Sequence, residues 1–474
     1  MKSKTIILAS LLLILNAETL TAFALFGRWK DQMEFNGSII LGRPTDTSIT
    51  LNILSEKQLE VYFEYNIQGE LSAIRTDKLA INSNIPCELV LENLKPDTQY
   101  TYYMHYRPSV SDTFIKSDEY SFHTQRAKGR TFSFAIQADS HIRWARLGGP
   151  ERFNDTLVEK SLRNMLKDDL DFLIDLGDTF FGDMARTYEM SKKNHLELRP
   201  FFGIVCHSLP LFVAIGNHEG ENGWVIDGTP DNSAVWAANA RKLYYPNPVP
   251  NGFYTGCTRK EKFIGLRESY YAFEWGDALI VVLDPYWNTA VKPEKSDNMW
   301  DWTLGDEQYF WLKKTLESSN VKFKFIFSHQ MTAGITPKGR GGIEAAQFGE
   351  WGGKNVNGIW GFTRNRPDWE LTIHELMLQN NVDIFFHGHD HVFVKQELDG
   401  IIYQEVPVPG DISYGKGHAR DGGYIHGDVI SNSGYLRVTV SGSETTVDYI
   451  RAYLEGDGPN REIAYSYTIK SGIQ

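Results

Sequence analysis

Five apolar runs in this chain end in residues that ligate metals. "FSFAIQ" leads into Asp139-Ser140-His141, "LDFLIDL" into Gly177-Asp178, "LPLFVAI" into Gly216-Asn217-His218-Glu219, "FKFIFS" into His329, and "VDIFF" into His387-Gly388-His389-Asp390-His391. Imidazoles mixed with carboxylates suit Zn, Fe, Mn or Co better than Ca or Mg, which favour all-oxygen shells. Each block alone is weak. An Asp-x-His can cap a turn, Gly-Asp is commonplace in turns, and a lone histidine is more often a satisfied core residue. Their ordered recurrence, each after a strand-like run, carries the reading. In open α/β sheets ligands bind beyond the carboxyl ends of the strands, where residues distant in sequence share one rim.

The elements that must position these residues alternate. "TFSFAIQ", "LDFLIDL", "LPLFVAI", "ALIVVLD", "VKFKFIFS" and "VDIFF" are strand candidates, most of them apolar on both faces. "NDTLVEKSLRNMLKD" has helical spacing in Leu157, Leu162, Met165 and Leu166, and "DEQYFWLKKTLESS" is amphipathic. Strands alternating with helices, with buried strands on both faces, predict an α/β core whose sheets are covered. "GYLRVTVSGSETTVDYIRAY" predicts a closing hairpin. Residues 219–275 and 285–305 are long insertions rich in Gly, Trp, Tyr, Asn and Pro, the kind of segment that forms binding loops. Trp224, Trp236, Tyr244 and Tyr245 are candidates there for a leaving-group pocket, against simple loop packing.

Residues 28–125 have a different texture. "SITLNIL", "LEVYFEYNI", "CELVLENL", "TQYTYYMHYR" and "EYSFHT" are short β-rich runs punctuated by Gly, Pro, Asp and Asn, the pattern of a small all-β sandwich. The polar stretch "TQRAKGR" at 124–130 reads as a linker. Residues 1–24 combine the basic "MKSK", the apolar "TIILASLLLIL" and small residues at Ala22 and Ala24, which predicts a signal peptide and an exported protein, whether periplasmic, cell-surface or secreted. No comparable run recurs, so no transmembrane span is expected after cleavage. A net charge of −12 argues against nonspecific nucleic-acid binding. Of Cys87, Cys206 and Cys257, an odd number, only Cys206 with Cys257 is a conceivable pair.

"DSH", "GD", "GNHE", "SH" and "GHDH", in this order, resemble the signature of the calcineurin-like metallophosphoesterases over about residues 130–455. The β-rich front, with "LENLKPDTQYTYYMHY" similar to the late strands of a fibronectin type III module and Tyr100 similar to its corner tyrosine, resembles the purple acid phosphatase branch. The resemblance implies a four-layer αββα sandwich, a fibronectin III-like domain over 28–125, and residues 456–474 as a C-terminal tail. It implies two divalent or transition metal ions: Asp139, His141 and His391 on one, Asn217, His329 and His389 on the other, and Asp178 bridging. It implies a metal-bridging hydroxide attacking a small phosphoester, with a phosphomonoester expected and a phosphodiesterase or nucleotide hydrolase as the alternative. A cell-surface binding protein with a vestigial enzyme domain is the alternative of a different class. His218 is the expected catalytic residue, donating a proton to the leaving group. Glu219, Asp183, Arg143 and His387 are candidates for supporting or substrate-contacting positions. Two features depart from the purple acid phosphatase pattern. Phe181 in "GDTFF" stands where that branch has a tyrosine ligand, and His141 occupies a position that branch typically lacks, so iron–tyrosinate colour is not expected.

Overall fold

The computed structural model describes residues 35–108, 113–334 and 339–471. The proposed signal peptide, 1–24, lies outside them. By Cα packing the described residues form two compact units, one within 35–37, 54–87, 101–108 and 113–120, the other within 38–53, 88–100, 121–334 and 339–471. This division does not fall at the 124–130 linker.

The smaller unit is all-β. Its long strand Leu59–Ile67 pairs antiparallel with Ile74–Arg75 and Leu79–Ile81. Leu59, Val61, Phe63 and Tyr65 are buried at every second position, with Glu60, Glu64 and Asn66 half-exposed between; Tyr62 is buried as well.

The larger unit holds two facing sheets. In the first, Phe132–Gln137 runs parallel to Leu173–Asp175, which runs parallel to Leu211–Val213. On its other side Phe132–Gln137 pairs antiparallel with Gly434–Ser441. In the second, Ala278–Val282, Phe323–Phe327, Ile384–His387 and Ile401–Glu405 are consecutive parallel neighbours. Phe134, Phe172, Phe212, Phe273, Phe325 and Phe386 fill the space between the sheets with little or no exposure. A second core backs the other face of the second sheet, where Tyr309, Leu312 and Leu316 of helix Asp306–Ser318 and Leu376 and Met377 of helix Ile373–Gln379 meet Ile326 and Phe385. This is the expected four-layer arrangement. The parallel register places the carboxyl ends of the two sets of strands on shared rims.

Several expectations change. Residues 456–474, read as a tail, include strand Ile463–Lys470, which pairs antiparallel with Glu444–Arg451 and extends the first sheet. The insertion 219–275 contains helix Ser233–Tyr244, capped by Asn232, whose side chain accepts from Val235 N. The three cysteines are free, so Cys206 and Cys257 do not pair. No helix among the described residues is long and apolar enough to cross a membrane. Tyr100, by contrast, does act as a corner residue: its hydroxyl accepts the Lys95 N–H at 2.8 Å.

Helix Tyr188–Gly203 carries a buried basic cluster. All three Arg199 guanidinium nitrogens donate to neutral acceptors: Ser38 Oγ and O, Asn52 Oδ1 and O, and Tyr244 O. His195 lies one turn away against Phe180, Tyr244 and Tyr245. Burial, with Arg241 and Arg199 nearby, lowers its pKa to about 3. The folded value lies below the unfolded one, so the stabilisation is complete above about pH 6.5 and fades as pH falls toward 3. The integrated effect is on the order of 5 kcal/mol. His195→Gln, neutral throughout, should shrink the drop in melting temperature between pH 7 and pH 4; an undiminished drop would refute the assignment.

Candidate metal and phosphoester site

The predicted ligands meet at the rim. Asp139, His141 and His391 bring ligand atoms within 4.8 Å of one another, and so do Asp178, His329 and His389. All six are buried. The two groups adjoin: His329 Nε2 is 3.3 Å from Asp178 Oδ2 and 4.0 Å from Asp139 Oδ1. His141 Nε2 and His391 Nε2 face each other at 3.0 Å.

The backbone is held out of its ordinary range to achieve this. Asp139, His141, Asp178, His389 and His391 all have positive φ, between 43° and 80°. Left-handed conformations cost non-glycine residues free energy and persist where surrounding structure over-determines them, commonly at functional sites. Two glycines allow the loops to touch. A Cβ on Gly216 would lie 2.4 Å from Asp178 N and Oδ1, and one on Gly388 would lie 2.7 Å from Asp139 Oδ2.

Hydrogen bonds then aim the donors. Asp139 Oδ2 accepts from His389 N, and Asp178 Oδ1 from His218 N, each at 2.8 Å. His329 Nδ1 is tied to Leu176 O at 3.0 Å, which leaves Nε2 facing the carboxylates. Asp139 Oδ1, Asn217 Oδ1 and His329 Nε2 are buried without a hydrogen-bond partner among the described residues. Buried acceptors left unsatisfied and converging on one place fit cation binding. Electrostatics divides the imidazoles: burial opposes a charge on His329, yet the Asp178 and Asp139 carboxylates push its pKa up to about 10. Burial keeps His141, His389 and His391 well below the ordinary imidazole range, so they present lone pairs. Burial opposes ionisation of Asp178, yet the His329 and His218 imidazoles hold it well below the usual carboxylate range.

His218 stands beside these groups, with Nε2 4.0 Å from Asp178 Oδ2 and Nδ1 3.3 Å from Asp183 Oδ1. Burial disfavours its charge, but Asp178 and Asp183 push its pKa up to about 9. Glu219 has a defined place: its oxygens accept from Asp178 N at 2.8 Å, Thr179 N at 2.9 Å and Gly216 N at 2.7 Å. It clamps two ligand loops together. Glu219→Gln turns one acceptor into a donor facing an N–H, and should cost about 2 kcal/mol of stability. It should also weaken metal affinity by roughly tenfold or more. Thermal unfolding and metal titration read both, and unchanged metal affinity would remove Glu219 from the site's support.

His387 is buried, with Nδ1 2.5 Å from Glu405 Oε2. Burial lowers the His387 pKa to about 3 and raises Glu405 well above the carboxylate range, so the contact is not an ion pair near neutral pH. Glu405 Oε1 also accepts from Asp390 N at 2.9 Å, bracing the His389–His391 loop. Arg143 turns away. It pairs with Glu197 and lines a separate cavity with Phe180 and Leu198. Phe181 stacks on His141 at 5.2 Å and meets His218 edge-on at 4.6 Å. Its ring is an apolar wall where a tyrosine would place an oxygen.

A cavity of about 220 Å³ opens above Asn217, His218 and His389. Trp224 lines it, as anticipated, together with Tyr286, Lys292, Trp302, Gln330 and Arg340, none of which sequence reasoning singled out. Tyr244 and Tyr245 are buried on His195 instead. Lys292 lies in the 285–305 insertion, whose composition marked it as a binding loop. Arg340, within "KGRGG", carried no periodic signal. Its Nη1 donates to His389 O and Asp390 Oδ1, both at 2.9 Å.

Two sheets between helices, with paired histidine–aspartate clusters on one rim, define a metal-dependent phosphoesterase. The sequence profile of the calcineurin-like phosphoesterases matches residues 132–393, more than half the chain, and the protein belongs to that family. The solved structure of PhoD is similar with a TM-score of 0.65 and 14% identity, over 92% of this chain and 90% of that one. Purple acid phosphatase PPD1 from yellow lupin (Lupinus luteus) seeds is similar with a TM-score of 0.57 and 16% identity, over 92% of this chain and 74% of that one. At these identities the likeness is one of fold. No curated protein matches the chain significantly. The family uses two metal ions, and the two clusters suit one each.

Proposed function

We propose that the protein is an exported phosphomonoesterase using two metal ions, one held by Asp139, His141 and His391, the other by Asn217, His329 and His389, with Asp178 between them. The observation that carries this is the pair of adjoining buried clusters whose acceptor atoms lack partners. Two such ions would supply Lewis acidity, lowering the pKa of water toward neutrality and offsetting charge on the phosphoryl oxygens. The chain's own groups do the rest. Asp183 orients the His218 imidazole, which faces the cavity and delivers a proton to the departing alkoxide. Two bound cations would favour a monoester dianion over a diester monoanion; the Lys292 and Arg340 side chains around the same cavity are each paired, with Glu294 and Asp390 at 2.9 Å.

The test loads the purified protein with Mn, Zn, Fe or Co, measures metal content, and compares aryl phosphate with bis-aryl phosphate. About two ions per chain and at least roughly tenfold higher kcat/KM for the monoester are expected, a margin of about 1.4 kcal/mol. Faster diester turnover would overturn the monoester assignment. Export is supported by residues 1–24, and N-terminal sequencing of the secreted or periplasmic protein should begin at Leu25.

A further inference from the structure

A second cavity, of about 310 Å³, adjoins the first, and Pro293 and Trp302 line both. The two differ in chemistry. The first lies beside the metal clusters and carries Lys292, paired with Glu294, and Arg340, paired with Asp390. Among the described residues, the second is lined by no cation. Its carbon surface comes from Val291, Met299, Trp302, Ala333, Phe348 and Val356, and its charged groups are Asp297 and Asp301. Trp302 is held firmly: its indole N–H donates to Pro285 O at 3.2 Å and the residue is 6% exposed. Asp301 is already engaged, accepting from Ser296 Oγ at 2.6 Å and Asn298 Nδ2 at 2.9 Å. Val356, 75% exposed, leaves an apolar residue at the rim.

Resting on the phosphomonoesterase reading above, we propose that the second cavity receives the apolar alcohol portion of the substrate, so that the enzyme favours phosphate esters of carbon-rich alcohols. The orientation follows from charge. A phosphoryl dianion is repelled by Asp297 and Asp301 of the second cavity and drawn to the metal clusters, once loaded, beside the first. Only the uncharged end of the ester gains by entering the second cavity, where burial of each methylene is favourable. The bridging position of Trp302 lets one molecule occupy both cavities at once.

The experiment uses the metal-loaded protein and n-alkyl phosphates from ethyl to octyl. Leaving-group basicity is nearly constant along this series, so a trend in kcat/KM reports binding of the chain. We expect kcat/KM to rise by up to roughly fourfold per added methylene until the cavity is filled, the factor corresponding to about 0.8 kcal/mol per buried methylene. In Met299→Asp and, separately, Val356→Asp, the octyl-to-ethyl ratio should collapse. Because the ratio is taken within each variant, loss of folded protein cancels. A flat series in the unaltered protein that still hydrolyses ethyl phosphate overturns this inference and leaves the phosphomonoesterase reading standing. A rise that survives both variants overturns the assignment to this cavity. No phosphate release from any ester overturns the reading on which the inference rests.

Discussion

Replacing Asp178 by Asn is expected to lower kcat/KM by about a thousandfold or more and to reduce bound metal from about two ions per chain to one or fewer. Metal ions supply several kcal/mol of charge stabilisation in phosphoryl transfer, and each 1.36 kcal/mol is a factor of ten. In the proposed reading Asp178 bridges the two ions; it belongs to the cluster with His329 and His389. Its Oδ2 lies 3.3 Å from His329 Nε2, its backbone hydrogen-bonds to Glu219, and its Oδ1 accepts from His218 N. Asparagine keeps the volume but loses the negative charge that, in the proposed reading, would offset that of the ions. Metal analysis and steady-state kinetics on the same preparation decide the matter. A variant that retains two tightly bound ions and normal turnover would remove Asp178 from the centre of the site.

The second large effect is at His218. His218→Ala should lower kcat by roughly a hundredfold to ten-thousandfold, the usual range for removing a general acid, while metal content stays intact. The loss should depend on the leaving group. An alkyl alkoxide needs its proton in the transition state, whereas a 4-nitrophenolate departs almost unaided. Turnover of ethyl phosphate should therefore fall much further than that of 4-nitrophenyl phosphate. Equal losses on both esters would assign His218 to binding or charge stabilisation instead. Its geometry supports the proton-donating role: Nδ1 is engaged by Asp183 at 3.3 Å, and the ring lines the cavity rather than either ligand cluster.

Much of this site was legible in the one-dimensional pattern. Asp139, His141, Asp178, His329, His389 and His391 were recognisable because each follows a short apolar strand, and parallel strands deliver their carboxyl ends to a common rim. The strands "LEVYFEYNI" and "FSFAIQ" were located from residue type and period, and occupy Leu59–Ile67 and Phe132–Gln137. Other elements were missed. Strand Ile463–Lys470 has polar and apolar residues in alternation, but its position at the chain end made it read as a tail; its pairing with Glu444–Arg451 is a long-range choice. Helix Ser233–Tyr244 lies in a stretch whose Gly, Trp and Asn content masked its alanine-rich core.

Residue type and strand-end position, both local properties, were enough to determine which side chains can hold the ions, and so the class of chemistry. Tertiary structure alone decided what surrounds them. Glu219 became a clamp on Asp178, Thr179 and Gly216 rather than a solvated carboxylate, Arg143 went to Glu197, and Lys292, Trp302 and Arg340 came to the cavity. The physical reason is that an irregular loop has no repeating backbone geometry to point its side chains. Their directions are set by closure against distant segments, which no local period encodes.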